Sequence, residues 1–349
     1  MTLGVRDNIV HMHIKCCVLP RHGAPGQDHA GGLRRSLQNW VNRDMNESPL
    51  SGMRLGLFGK GGAGKSTVTV LLARGLAHMG YRPVVLDADS TNIGITRALG
   101  AGDGPQTLID HFGGLVFSGG AVTCPVDDPT PIADAELDLD RLPTGFLSQT
   151  PLGIRVLVGG KMGDLGPGAG CDGPIAKVAR DVRVRSDRDV PPLLVDFKAG
   201  FEDSARGVLT SLDWALVVVD PTTASLHMAI HMKRMVEKIQ EGVPPATAHL
   251  LDPHLAGLAR QLFQESRIQG VAAILNRVPD PETEAFLRGR LEALGGPQVI
   301  GMLPEDRTIQ TQWLRGEEVV AEGLAEKIRS IALALESLGS ARAAPAGAT

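Results

Sequence analysis

Short apolar runs that end in polar or charged residues recur along most of the chain. The runs are rich in Val, Leu and Ile, which is typical of strands buried on both faces of a parallel sheet. Segments with helical spacing follow several of them. The pattern therefore predicts an α/β fold, a doubly wound domain with a mainly parallel sheet. The predicted strands are Met53–Phe58, Arg82–Leu86, Ile154–Val158, Leu193–Val195, Ala215–Val219, Val271–Leu275 and Gln298–Leu303.

Between the strands, the spacing of apolar residues predicts helices in some places and loops in others. Residues 101–150 are rich in Gly, Pro and acidic residues, and they predict long surface connections with a short hairpin near Leu115–Val122. Thr222 or Thr223 is suited to cap the helix that follows it. The predicted helices run from Val68 to Met79, from Ile175 onward, from Thr222 or Thr223 to Lys238, and over residues 323–339.

The two ends of the chain differ in composition from its middle. The first 52 residues mix Gly, Pro, His and Arg with little periodicity and lack the apolar segment of a signal peptide. We expect an N-terminal extension, poorly ordered, at 1–52. A single domain at 53–339 and a flexible Ala/Gly tail at 340–349 complete the predicted division.

Composition and charge exclude several functional classes. Aromatic residues make up 3% of the chain and the net charge is −4, so there is no overall basic field for nucleic acid or anionic membrane. No apolar run approaches the ~20 residues of a membrane span. Four cysteines in 349 residues do not form a disulfide framework. We therefore expect a soluble cytoplasmic protein that binds neither nucleic acid nor membrane.

The extension contains a group of potential metal ligands. His11, His13, Cys16 and Cys17 lie close together in the sequence, but their spacing fits no zinc pattern. We interpret them as incidental.

A glycine-rich stretch between the first strand and its helix carries the clearest chemistry. Residues 59–67 read G-K-G-G-A-G-K-S-T and satisfy the phosphate-binding pattern G-x-x-x-x-G-K-[ST]. Glycines let backbone N–H groups surround a phosphate, and the positive end of the helix adds to this attraction. Lys65 is expected to reach the outer phosphates and the Ser66 hydroxyl to ligate Mg²⁺. The predicted nucleotide-binding residues of the stretch are Gly61, Gly62, Ala63, Gly64, Lys65, Ser66 and Thr67.

Carboxylates follow two of the predicted strands. Asp87 and Asp89 come after the second strand, and Asp196 comes after Leu193–Val195. Ligands of open parallel sheets bind at such strand ends, and buried acids there require a cation or a polar network. An apolar run ending in Asp is the Walker B arrangement, so Asp196 is predicted to hold Mg²⁺ through water.

The phosphate loop and the acidic motifs together resemble those of a known family. K-G-G-x-G-K-[ST], with Lys60 first, resembles the deviant Walker A loop of the P-loop ATPases that include MinD, ParA, nitrogenase iron protein and CO-dehydrogenase maturation ATPases. The resemblance implies that Lys60 crosses a dimer interface to the partner's nucleotide, and that Asp89 orients the attacking water with Asp87 as support near the metal. The sequence D-x-x-A-G from Asp196 to Gly200 resembles the second switch, in which Gly200 senses the γ-phosphate.

Two stretches narrow the resemblance to the CooC type of CO-dehydrogenase nickel-insertion ATPases. D-x-x-A-G-F-E continues the second switch, and a glycine-rich run ends at Cys171. In that subgroup a C-x-C pair binds metal at the dimer interface, which implies Ni²⁺ or Zn²⁺ at Cys171. Here Gly173 replaces the second cysteine, so Cys124 would have to supply the missing thiol, and its loop context gives no support for that. The alternative is that Cys171 is a loop cysteine with no ligand role.

The family also places the purine base near the last strands. The resemblance implies base contacts from Asn276 and from the loop Pro304–Asp306, with Pro304 and Asp306 as the contacting residues. Residues 276–279 read N-R-V-P, whereas a guanine-binding site would more often have N-K-x-D. ATP is therefore favoured over GTP.

These motifs predict an ATP-dependent homodimer that hydrolyses ATP slowly and uses it as a conformational switch. The first hypothesis for its role is assistance with nickel insertion or metallocluster maturation in a client enzyme. The alternative is a MinD/ParA-like positioning or regulatory ATPase that acts through a protein partner without metal. The chain end Ser340–Pro345 is not the basic amphipathic helix that MinD-type membrane binding uses. Lys198, where the family usually has a small or apolar residue, is left without a role.

Overall fold

The computed structural model describes residues 48–162 and 171–343, with side chains to residue 340. Eight strands form one sheet in the order β10-β9-β8-β1-β7-β2-β5-β4, and every pair is parallel except β4 with β5. β3 and β6 form a separate parallel pair. The α/β prediction with a mainly parallel sheet is confirmed. The strands are β1 Arg54–Gly59, β2 Val84–Ala88, β3 Glu136–Asp138, β4 Ser148–Gln149, β5 Arg155–Val158, β6 Arg183–Arg185, β7 Leu193–Phe197, β8 Trp214–Val219, β9 Gly270–Val278 and β10 Gln298–Pro304.

Helices connect the strands, and side-chain caps define the starts of several of them. Thr222 caps the helix Thr223–Gln240 by accepting a hydrogen bond from the Ser225 amide, as its sequence position predicts. No helix among the described residues is long and apolar enough to cross a membrane. The helices are α1 Lys65–His78, α2 Ile95–Ala98, α3 Leu108–His111, α4 Gly173–Asp181, α5 Glu202–Ala205, α6 Thr223–Gln240, α7 Pro253–Gln264, α8 Pro281–Ala293, α9 Arg307–Arg315 and α10 Ala325–Ala343.

The core is formed by the central strands and the helices packed on them. β1, β2, β5 and β7 are buried along their whole length, as expected for strands covered on both faces. Phe58 of β1 stacks on Phe197 of β7 with ring centroids 4.7 Å apart. α10 packs closely on α1 and β10 because Gly75 and Gly301 leave room for Ile328 and Ile331.

The strands extend further than their apolar runs. Asp87, Asp196 and Asn276 lie inside β2, β7 and β9 rather than after them. Polar residues can be part of a strand where backbone pairing continues, and β2 pairs with β7 so that Asp87 lies opposite Asp196. The parallel register therefore places the two carboxylates side by side.

The prediction of a short hairpin near Leu115–Val122 is wrong. These two residues form a single parallel bridge, and a short 3₁₀ helix at Val116–Ser118 lies between them. The glycines around this turn permit a compact loop, so no paired strands form. His11, His13, Cys16 and Cys17 of the extension lie outside the described residues.

Candidate functional site

The glycine-rich loop joins β1, one of the two central strands of the sheet, to α1. β1 lies between β7 and β8 and ends at Gly59, and α1 begins at Lys65. Gly62 and Gly64 have φ angles of 81° and 90°, in the left-handed region that favours glycine. A Cβ at Gly64 would lie 2.3 Å from the Asn276 amide nitrogen. The loop can therefore approach its neighbours closely only with glycine at this position.

Three contacts hold the loop in place. The Asn276 amide donates to the Ala63 carbonyl over 2.8 Å, and Arg277 Nη1 donates to the Gly62 carbonyl over 2.8 Å. The Gly200 amide donates to the Gly59 carbonyl over 3.2 Å. The expected base-contacting Asn276 and the expected γ-phosphate sensor Gly200 thus both contact the loop directly, and their nucleotide contacts stay predictions.

Ser66 and Asp196 meet directly behind the loop. Ser66 Oγ donates to Asp196 Oδ2 over 2.6 Å, and Thr69 Oγ1 donates to Asp196 Oδ1 over 3.0 Å. Asn92 Nδ2 donates to Ser66 Oγ over 2.7 Å. Burial raises the pKa of Asp196 to about 6, against the opposing effect of these hydrogen bonds and of Lys65. A hydroxyl beside a buried carboxylate is a hard oxygen donor set, which fits Mg²⁺.

Lys161 is a member of the site that the sequence did not indicate. Its Nζ lies 2.7 Å from Asp87 Oδ2 and donates to the carbonyls of Asp89, over 2.6 Å, and of Asn92. Even so, burial raises the pKa of Asp87 to about 7, because desolvation outweighs the lysine and Asp196 adds a repulsive charge. Lys161 therefore partly neutralises the paired carboxylates and fixes the loop after β2.

Asp89 lies in the loop after β2, and its carboxylate accepts hydrogen bonds from a residue of the same loop. Asp89 Oδ1 accepts hydrogen bonds from the Thr91 amide over 3.0 Å and the Thr91 hydroxyl over 2.8 Å. Its expected role in orienting water stays a prediction, because a change of this loop would be needed to release the carboxylate.

A cavity of about 390 Å³ opens beside the loop. This volume lies within the range of small-molecule sites, about 300–1,000 Å³. Asp306 also caps α9, through the Thr308 amide at 2.7 Å and the Ile309 amide at 3.4 Å. The cavity brings together residues predicted for phosphate and base binding, with Trp313 as an unpredicted neighbour: Gly62, Gly64, Lys65, Ser66, Thr67, Asn276, Pro304 and Asp306.

Lys60 points away from this cavity toward β8. Its Nζ lies 3.5 Å from Asp220 Oδ2 and donates to the Gly61 carbonyl over 3.0 Å, and about a third of the side chain is exposed. Asp220 also accepts from the Thr222 hydroxyl over 2.6 Å. A lysine held by one partly screened ion pair can move, since such pairs contribute only ~0–1 kcal/mol.

Lys198 has a partner that the sequence did not reveal. Its Nζ lies 2.6 Å from Asp172 Oδ2, and Arg206 Nη1 lies 2.8 Å from Asp172 Oδ1. Asp172 follows Cys171 directly, so the segment after β7 is joined by two ion pairs to the cysteine loop. The unusual lysine is thereby explained.

From its loop position in the sequence, Cys124 is not expected to place a thiol beside Cys171. This expectation is wrong. A Cβ at Gly173 would lie 2.5 Å from the Cys124 sulfur and 3.0 Å from the Cys171 sulfur. The two cysteines are far apart in sequence, and only the folding of the long connection after α3 onto α4 brings them together.

Sequence comparison finds relatives that align along most of the chain. An uncharacterized ATP-binding protein of Methanocaldococcus jannaschii is 28% identical over 272 residues, 77% of this chain and 95% of that protein. The carbon monoxide dehydrogenase accessory protein CooC of Rhodospirillum rubrum is 24% identical over 260 residues, 74% of this chain and 86% of that protein. An iron-sulfur cluster carrier protein of Pyrococcus horikoshii is 29% identical over 209 residues, 57% of this chain and 62% of that protein.

Structural comparison finds cell-division and partition proteins, and a family model covers more than half of the chain. The MinC:MinD complex of Aquifex aeolicus matches with a TM-score of 0.49 and 17% identity, over 82% of this chain and 96% of that chain. Residues 57–319 match the model of the CobQ/CobB/MinD/ParA nucleotide-binding domain. This match spans the glycine-rich loop, both carboxylate strands and the cavity beside them, and the chain belongs to the CobQ/CobB/MinD/ParA nucleotide-binding family.

Proposed function

We propose that this chain is a dimeric switch ATPase that binds ATP with Mg²⁺, hydrolyses it slowly, and assists metal insertion or metallocluster maturation in a client enzyme. The observation that carries the ATPase part is the contact of Ser66 with the buried Asp196 directly behind a complete phosphate loop. Family membership and ATP-binding relatives support the same conclusion.

The loop residues would bind the phosphates and the carboxylates would position the metal and the water. Lys65 is 6% exposed at the start of α1, where its charge and the loop amides would bind the outer phosphates. Ser66 would hold Mg²⁺ directly and Asp196 through water, and the ion would neutralise charge on the phosphates. Asp89 would orient the attacking water, with Asp87 as support.

Two further residues would connect the nucleotide to dimerisation. Lys60 would leave Asp220 and contact the nucleotide of the partner, stabilising charge as an arginine finger does. Gly200 would exchange its hydrogen bond to the Gly59 carbonyl for one to the γ-phosphate, and so report whether hydrolysis has occurred. The proposal that the loop is a deviant Walker A loop requires that Lys60 acts in this way.

The metal part of the proposal is supported by the connection between Asp172 and the segment after β7. Lys198 and Arg206 belong to that segment and hold the residue next to Cys171. A nucleotide-dependent movement of the segment would therefore reach the cysteine loop. The resemblance of the sequence motifs to those of CO-dehydrogenase maturation ATPases implies Ni²⁺ as cargo, with Zn²⁺ as the alternative.

The test is phosphate release and nucleotide binding in Lys65→Ala, with Lys327→Ala, an exposed lysine on α10, as the matched control. We expect ATP binding and hydrolysis to be lost in Lys65→Ala and kept in the control. Normal ATPase activity in Lys65→Ala would contradict the assignment. ATP-dependent dimerisation without any Ni²⁺ or Zn²⁺ binding would favour the positioning or regulatory alternative.

A further inference from the structure

Two cysteines meet at the start of α4. The Cys124 sulfur lies 2.5 Å, and the Cys171 sulfur 3.0 Å, from the point that a Cβ at Gly173 would occupy. Both cysteines are free thiols, Cys124 buried and Cys171 partly exposed. Both sulfurs therefore lie within 3.0 Å of one point, and Cys171 is the more exposed of the two.

Other contacts hold the two cysteines in this arrangement. Lys177 of α4 binds the loop that carries Cys124, through the Thr123 hydroxyl at 2.9 Å and the Asp128 carboxylate at 3.1 Å. At the other cysteine, the Gly173 amide donates to the Cys171 sulfur over 3.2 Å. α4 thus positions both sulfurs, and the pair is preorganised.

We propose that Cys124 and Cys171 of one chain together bind one thiophilic divalent cation, of which Zn²⁺ is the representative. Paired thiolates select soft and borderline d-block ions over Mg²⁺ or Ca²⁺. Two protein ligands leave coordination positions open, whereas structural zinc sites close all four. An open site suits a cation that is handed on. This inference rests on the proposed metal-delivery function and names the second thiol that the sequence lacks at position 173.

The ligands of the proposed site are the two cysteine thiols and not the carboxylate of the neighbouring Asp172. Its carboxylate is already paired with Lys198 and Arg206, so it is not available as a ligand without breaking both pairs.

The experiment measures Cd²⁺ and Zn²⁺ binding by full-length protein with Cys16→Ser and Cys17→Ser, purified anaerobically with its thiols counted as reduced. Ultraviolet thiolate-to-Cd²⁺ absorption reports ligation directly and requires no nucleotide. We expect tight binding in this background. Either Cys124→Ser or Cys171→Ser should weaken it at least about 100-fold, since even removal of an outer-shell partner costs about 10–100-fold.

A rescue variant distinguishes ligation from structural support. Gly173 has a backbone conformation open to other residues, and Cys124→Gly removes both the sulfur and the Cβ that a side chain at 173 would meet. Cys124→Gly with Gly173→Cys should recover thiolate-to-Cd²⁺ absorption. Unchanged binding in Cys124→Ser, or no binding in the background protein, would overturn the proposal. ATP hydrolysis should persist in all the cysteine variants, so failure here is separate from failure of Lys65→Ala.

Discussion

Lys198 Nζ and Asp172 Oδ2 lie 2.6 Å apart and join the segment after β7 to the residue next to Cys171. Burial acts to raise the pKa of Asp172, but the hydrogen bond from Lys198 and the charges of Arg206 and Lys198 prevail and lower it. The carboxylate therefore stays ionised near neutral pH. A movement of the segment after β7 has to break this contact or carry Asp172 with it.

Lys198→Met together with Arg206→Met should make the accessibility of Cys171 independent of the bound nucleotide. In the wild type we expect the labelling rate of Cys171 to differ severalfold between ADP and a non-hydrolysable ATP analogue. The double variant should lose this difference, because neither apolar side chain can hold Asp172. Rates measured with a thiol reagent in the Cys16→Ser/Cys17→Ser background test this, and Lys198→Arg, which keeps the charge, serves as control. A nucleotide-dependent difference that survives in the double variant would contradict the coupling.

The nucleotide-free Asp196→Asn variant should gain stability relative to the wild type as the pH rises from acid to neutral. The folded pKa of about 6 exceeds the unfolded value of 3.8, so the folded state binds more protons between these values and stability falls as pH rises through about 6. The variant lacks this loss. Its stability relative to wild type should rise by about 2–3 kcal/mol between pH 4 and pH 8.

Urea unfolding of both proteins across this pH range, without Mg²⁺ or nucleotide, checks the pH dependence. Asp87 contributes a loss of the same sign toward pH 7 in both proteins. Removal of the Asp196 charge lowers the pKa of Asp87 in the variant, so this loss is smaller there and the stability difference changes further in the expected direction. A stability difference that does not change with pH would contradict the expectation.

Gly64→Ala should destabilise the protein more than Gly62→Ala. Both residues have positive φ, so either alanine costs about 1–2 kcal/mol of backbone strain. Only at Gly64 would the new Cβ collide with Asn276, whose hydrogen bond to Ala63 would be lost at a further cost of about 1 kcal/mol. Urea unfolding measures the two values, and equal losses would show that the Asn276 contact does not constrain the loop.

Lys60→Ala should slow ATP hydrolysis about 10³-fold or more while changing the nucleotide Kd only slightly, as expected for a group that stabilises transferring phosphate from the partner. The loss of the Lys60–Asp220 pair should cost little stability, because that pair is partly exposed.

Mixing the two inactive variants Lys60→Ala and Lys65→Ala tests the predicted position of Lys60. In a mixed dimer, the Lys65→Ala chain would supply an intact Lys60 to the nucleotide bound by the Lys60→Ala chain. Activity should therefore reappear on mixing. A mixture that stays inactive although mixed dimers form would place Lys60 in its own chain's site.

Local patterns predicted the framework, and long-range contacts account for what they missed. The apolar runs located the seven strands that build most of the main sheet, and the glycine loop was recognisable because its residues are consecutive. The side-by-side placement of Asp87 and Asp196 follows from strand order, which apolar spacing alone does not contain. Lys161 reaches Asp87, and Cys124 reaches Cys171, from loops that are distant in the sequence. A single lysine or cysteine in a loop has no sequence signal that reveals its partner.

Because a Cβ at position 173 would lie 2.5 Å from the Cys124 sulfur and 2.9 Å from its Cβ, a side chain at 173 and Cys124 in its present place exclude one another. Substitutions at these two positions are therefore not independent. Glycine at 173 is thus a condition for Cys124 to lie beside Cys171, and a mutation that adds a side chain at 173 would displace this thiol.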